Sequence, residues 1–136
     1  MEFVQHNLLL VIAAAASGAM LLWSFFGKRV SGISEVNALE ATRLMNEDAL
    51  LLDVREDNEW AAGRLPNARH IRLAELPKRL SELEKFKDKP IVVYCRSGHR
   101  SARACALLKK SGFASPKNLA GGIIAWEQAN LPVIRR

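Results

Sequence analysis

Six residues, PIVVYC at 90–95, leave little freedom in how this chain can be built. The run is rich in β-branched residues and apolar at every position up to the thiol. A strand with no polar face has to be covered on both sides, as at the centre of a parallel sheet flanked by helices. ALLLDV at 49–54 is a second apolar run of strand length. Helical patterns separate these runs. Strands alternating with helices of this kind imply a parallel α/β sheet with helices on both faces.

The other elements follow from local chemistry. A short first strand is predicted at 33–36. Asn37 can cap a helix with Glu40 as its capping partner, and Ala38, Leu39, Ala41, Leu44 and Met45 give that helix an apolar face. DNEWAAGRLPNA holds a short helical turn followed by glycine and proline punctuation, and RHI is a candidate third strand. Leu73, Leu76, Leu80, Leu83 and Phe86 recur at three or four residues, which predicts a helix over 73–86 with Pro77 near its start. Ser101–Lys110 reads as a helix stopped by Gly112. KNLAGG predicts an edge strand and a tight turn, and IIAWEQAN a last short helix.

In such a sheet, ligands bind beyond the C-terminal ends of the strands. Cys95 lies there. The next residues, Arg96, Ser97, Gly98, His99, Arg100 and Ser101, lead into a helix N-terminus. Successive backbone N–H groups in such a loop can converge on one anion, aided by the helix dipole. Gly98 has no Cβ to obstruct a tight curl. Arg96 and Arg100 add positive potential. Each feature favours a thiolate over a thiol, whose free pKa is about 8.5, and the thiolate is the nucleophile. His99 reads as an exposed loop residue able to shape the loop or assist a proton transfer. A cysteine after a strand can also be a small buried hydrophobe. That is the reading for Cys105, which shares the apolar side of its helix with Ala104 and Leu108.

Composition excludes several classes. Two cysteines are no disulfide framework, and nine residues between them are no CxxC redox pair. No second histidine–aspartate set completes a protease triad, and no metal-ligand spacing appears. No metal or organic cofactor is therefore expected. The net charge of +6 favours anionic partners, yet the charges are mixed throughout with no Lys/Arg block, so there is no nucleic-acid signature. At 136 residues and 49% hydrophobic, there is room for one domain with its own core.

The N-terminal part is different. Leu8 to Phe26, LLLVIAAAASGAMLLWSFF, is 19 residues without a charge. As a helix it rises roughly 28 Å, against a hydrocarbon core of roughly 30 Å. Trp23 sits where interfacial aromatics gather. A cleaved signal peptide is the rival, but Met1–Asn7 carries only Glu2 and His6 and no basic residue. Lys28 and Arg29 follow the run, which predicts a single-pass membrane protein with its C-terminal part in the cytoplasm, as at a bacterial inner membrane. Ala14 and Gly18, four apart, offer a weak signal for close helix packing. The expected organisation is an anchor over 1–27 (span about 8–26), a linker over 28–32 and one domain over 33–136.

From about Ile33 to Pro132 the sequence resembles the rhodanese family of sulfurtransferases. LLLDVREDNEW, GRLPNARHI, VVYCRSGHRSARACALLKKSGF and NLAGGIIAW carry the resemblance, and the Cys-Arg-Ser-Gly-x-Arg-Ser loop is its most specific part. The resemblance implies a three-layer fold around a central, mainly parallel five-stranded sheet. It implies that Cys95 takes a sulfane sulfur from a small anionic donor such as thiosulfate. The persulfide then yields it to cyanide or a thiol, including a protein thiol. The loop from Arg96 to Ser101 is expected to stabilise the persulfide, with Arg96 and Arg100 attracting the donor. Ser101 is expected either to hydrogen-bond the sulfur or to cap the helix. Asp53, Arg55 and Glu59 match a supporting motif, expected to fix the loops by an ion pair and hydrogen bonds. Gly121, Gly122 and Trp126 match the closing turn. Arg64 and His70 depart from the family, where histidine and asparagine are frequent. Related phosphatases have five residues between cysteine and arginine, whereas four separate Cys95 from Arg100. A persulfide carrier or docking module without turnover is the other alternative.

Overall fold

A computed structural model describes residues 7–30 and 33–135, with side chains from 22 to 30 left out. The chain divides into two compact units, Met1–Gly32 and Ile33–Arg136. In the first, α1 (Leu8–Val30) is one helix. The first three residues of the predicted linker, 28–30, are therefore helical. Glu2 and His6, and the side chains of Trp23, Lys28 and Arg29, lie outside the described part. The expectation of a transmembrane span over 8–26 is not supported: among the described residues, no helix is long and apolar enough to cross a membrane.

The second unit alternates as expected: β1 (Ser34–Val36), α2 (Ala38–Asn46), β2 (Leu50–Asp53), α3 (Asp57–Ala62), β3 (Arg69–His70), β4 (Pro90–Tyr94), α4 (His99–Lys110), β5 (Ser115–Leu119) and α5 (Gly122–Gln128). The sheet order is β1-β5-β4-β2-β3, and every pairing is parallel. β4 sits at the centre because its residues bury both faces. Alternation along the strands then sorts the core. Leu50, Leu52, Ile91, Val93 and Cys95 pack on one face with Ala104, Cys105 and Leu108 of α4. Leu51, Val92 and Tyr94 pack on the other with Ala38 and Ala41 of α2 and Ile123 and Trp126 of α5. A period of two therefore places the Cys95 side chain on the α4 side.

Two expectations need correction. β5 is an interior strand, not an edge, because β1 adds to its far side. The predicted helix over 73–86 is two three-ten segments, Leu76–Lys78 and Leu80–Phe86. Pro77 removes one backbone donor there, and apolar residues three apart align along a three-residue turn. Leu76 and Leu83 are buried from these segments. The Asn37 cap forms as predicted, with its Oδ1 accepting from the Glu40 N–H at 2.8 Å.

Candidate active site

Cys95 is the first residue beyond β4 and is buried. The chain then curls through Gly98, whose φ of 109° lies in the left-handed region, and enters α4 at His99. This curl brings the Gly98 N–H to 3.1 Å from Sγ and the Ser101 Oγ to 3.3 Å. Burial raises the Cys95 pKa. The contact with the Ser101 hydroxyl and the hydrogen bonds from the N–H groups of Ser101, Gly98 and Ser97 lower it, and the balance falls below the ordinary thiol value. Cys105 has burial without such donors, and its thiol is pushed up to about 12.

The loop is aimed from behind. The Ile123 N–H donates to the Cys95 carbonyl at 2.9 Å and the Ile124 N–H to the Arg96 carbonyl at 3.3 Å. In a trans peptide the N–H points opposite the carbonyl. Drawing these two carbonyls toward α5 therefore turns the following amides the other way. Such an approach requires Gly122: with φ at 59°, a Cβ there would stand 2.4 Å from the Cys95 oxygen. Gly121 also has positive φ, and the buried Trp126 donates its Nε1–H to the Pro132 carbonyl at 2.9 Å.

The candidate residues do not all face the sulfur. Arg96, Ser97 and His99 are exposed. Arg100 is half-buried, and Glu59 on α3 holds its guanidinium by two bonds, at 2.6 and 2.9 Å. The Arg100 hydrogen bond holds the Glu59 carboxyl down at about 2. Arg100 therefore acts first as a strut between α3 and α4. Asp53 and Arg55 are both buried, and the Arg55 guanidinium bonds both Asp53 oxygens and the Gly63 carbonyl. Arg55, Glu59, Gly63, Arg96, Ile123 and Arg135 contribute to the lining of an open cavity of about 360 Å³. Among the described residues, no group of three or more His, Cys, Asp or Glu side chains is placed to hold a metal ion.

Two features went unseen in the sequence. Asn118 of β5 is buried beside the loop, with its Nδ2 donating to the Gly98 carbonyl at 3.1 Å and its Oδ1 accepting from the Ser101 hydroxyl at 2.6 Å. Its signal was a polar residue inside a strand, hidden by reading that strand as an edge. The second is a stack. His70 lies flat on Trp60 with ring centres 4.7 Å apart, and the Arg64 guanidinium lies 4.8 Å from the Trp60 centre. The two residues that depart from the family thus share one indole, while His70 Nε2 donates to the Arg55 carbonyl at 2.7 Å.

The model of the family described as Rhodanese-like domain matches residues 37–129. The chain belongs to the rhodanese-like domain family. It is 46% identical over 88 residues to a protein named sulfurtransferase from Allochromatium vinosum, covering 65% of this chain and 80% of that one. It is 34% identical to uncharacterized protein YibN of Escherichia coli K12, across 99% of this chain and 96% of YibN. A rhodanese-related protein from Thermoplasma volcanium superposes with a TM-score of 0.68 at 31% identity, covering 76% of this chain and 99% of that one. Strands β2 to β5 and the cysteine loop fall within residues 37–129, and β1 precedes them.

Proposed function

We propose that this chain is a sulfurtransferase that carries a sulfane sulfur as a persulfide on Cys95. The observation that carries this reading is the focus of backbone N–H groups on a buried Sγ, with the Ser97 amide turned that way by the contact of the Arg96 carbonyl to α5. Such a focus favours an anionic sulfur, and it favours the outer, charged sulfur of a persulfide for the same reason. The thiolate attacks the outer sulfur of thiosulfate, the S–S bond to the sulfonate breaks, and sulfite leaves with the bonding pair. Cyanide or a thiolate then attacks the outer sulfur of the persulfide, giving thiocyanate or a new persulfide and returning the Cys95 thiolate. Exposed Arg96 favours an anionic donor at the mouth. The phosphatase alternative is disfavoured because Ser101 stands at the sulfur while Arg100 is engaged by Glu59.

Intact-mass measurement after thiosulfate treatment tests the proposal. The chain gains one sulfur and loses it to cyanide; Cys105→Ser behaves the same and Cys95→Ser gains nothing. Uptake by Cys95→Ser would overturn the assignment. Steady thiocyanate formation distinguishes turnover from a carrier that loads once.

Location is a separate part of the proposal. Leu9, Leu10, Met20 and Leu21 on α1 are exposed, which favours attachment to a lipid surface from the cytoplasmic side. No crossing of the bilayer is invoked. Fractionation of the full chain tests it, and recovery wholly in the unsedimented fraction removes this part.

A further inference from the structure

We propose that Asn118 tunes Cys95 by competing with its sulfur for the single hydroxyl proton of Ser101. The proposal rests on Cys95 being the reacting thiol, and it assigns a positioning role to a residue that acts through Ser101.

The argument is a count of protons. The Gly98 carbonyl accepts from Asn118 Nδ2 at 3.1 Å, and a carbonyl can only accept. The amide orientation is thereby fixed, and Oδ1 faces Ser101. Oδ1 also only accepts, so the 2.6 Å contact uses the Ser101 hydroxyl proton. Ser101 has no second proton for Sγ, which lies 3.3 Å away. In this arrangement Ser101 presents a lone pair to the sulfur. That suits a thiol, whose S–H points into the oxygen, and opposes a thiolate.

Ionisation reverses the demand. When the thiol proton leaves for solvent, the hydroxyl gains by turning to the charged sulfur, since a hydrogen bond to an anion is the stronger one. Turning strips Asn118 Oδ1 of its donor inside a buried site. The cost of that orphaned acceptor opposes the gain. Asn118 therefore holds Ser101 back, and the same competition applies to a negatively charged persulfide. The Ser97 N–H does not take part, because the carbonyl of its own peptide, Arg96, is held by Ile124 of α5; the Ser101→Ala background separates out any change at the Gly98 and Ser101 N–H groups. The charged and titratable groups with an electrostatic effect on Cys95 are Arg100, bound by Glu59, and Cys105; both lie on α4. Arg96 and His99 are the exposed titratable neighbours in the loop. None of these four is altered in the test.

The test reads Cys95 ionisation directly, through the pH dependence of iodoacetamide alkylation at that residue, so it is decided independently of sulfur transfer. Asn118→Leu, close in shape, releases the hydroxyl and is expected to lower the midpoint by about one unit, a roughly tenfold rise in alkylation rate well below the midpoint. In a Ser101→Ala background the same replacement is expected to leave the midpoint unchanged. An unchanged or raised midpoint in Asn118→Leu, or an equal fall without Ser101, overturns the proposal. A measurement on the unaltered side chain guards against a variant that fails to fold. The Asn118 Cγ resonance is expected to titrate with the Cys95 midpoint in the parent chain and to lose that titration in Ser101→Ala. A flat Cγ resonance in the parent chain overturns it too.

Discussion

Glu59 and Arg100 stand 41 residues apart in the chain and meet in a two-bond ion pair, Oε1 to Nη1 at 2.6 Å and Oε2 to Nη2 at 2.9 Å. The pair joins α3 to the first turn of α4, the turn that closes the Cys95 loop. Both side chains keep some solvent contact, so its worth is about 1 kcal/mol, toward the upper end for such pairs. Glu59→Gln is expected to lower Tm by about 4–8 °C for a domain of this size. The sign with pH follows from the carboxyl, which drops from 4.5 to about 2 on folding. Its stabilisation is complete above the unfolded value and is lost as pH falls through about 2. The Tm gap between parent and Glu59→Gln should therefore narrow between about pH 5 and pH 2 in thermal melts.

The two thiols should behave oppositely. Cys95 lies below the ordinary thiol value and Cys105 at about 12. At neutral pH iodoacetamide should label one site, lost in Cys95→Ser and kept in Cys105→Ser, with peptide mapping as the readout. Cys105 also has a stability consequence. A group whose folded pKa is raised contributes stability that is present below its unfolded value and lost as pH rises through the folded one. Between about pH 9 and 12, denaturation midpoints should fall less steeply in Cys105→Ala than in the parent. Buried Tyr94 is also raised and titrates in the same direction in both chains, so the difference in slope belongs to Cys105.

The elements legible in the sequence are those whose chemistry is complete within a few residues. ALLLDV and PIVVYC are apolar on both faces, and nothing but an interior strand accommodates them. The Cys95 loop was legible because its glycine, arginines and following helix are contiguous. What stayed hidden depends on partners far along the chain. Ser115–Leu119, with Pro116 and Lys117, has the composition of an edge, and only pairing with β1 makes it interior. The burial of Asn118, and its hold on Ser101, follow from that pairing. Likewise, Arg100 reads locally as a free cation near the thiol, and only the placement of α3 shows it engaged. Leu73–Phe86 has spacings compatible with both helical periods, and the local rule could not choose between them.

Gly122 should be the least replaceable glycine near the site. An added Cβ would meet the Cys95 oxygen at 2.4 Å and the Arg96 carbonyl carbon and oxygen at 2.5 Å, all backbone atoms with no rotamer to yield. Its φ of 59° adds left-handed strain. Gly122→Ala is expected to cost about 2–4 kcal/mol, and the loop amides should lose their aim on Sγ. Chemical denaturation and the Cys95 alkylation midpoint should both shift, the midpoint upward. Gly18→Ala is the control, with nothing within 4 Å of its added Cβ. It should leave both unchanged.

The sharpest stability effect should come from Asp53. Its carboxylate is fully buried and bonds Arg55 three times through the guanidinium and once through the backbone N–H, at 2.8 Å. Among the described residues no buried side-chain nitrogen or oxygen lacks a partner, so the site has no slack. Asp53→Ala leaves a buried guanidinium with, among the described residues, the Gly63 carbonyl as its remaining hydrogen-bond acceptor and an uncompensated charge, at a cost of about 3–5 kcal/mol. That is a large part of the stability of an ordinary domain, about 5–15 kcal/mol. The double change Asp53→Leu with Arg55→Met removes both charges and should recover most of the loss, because the penalty lies in the orphaned ion more than in the missing bond. Urea denaturation of the parent, the single variant and the double variant checks this. A double variant as unstable as Asp53→Ala would show that the pair's hydrogen-bond geometry, not its charge balance, holds the α3 loop in place.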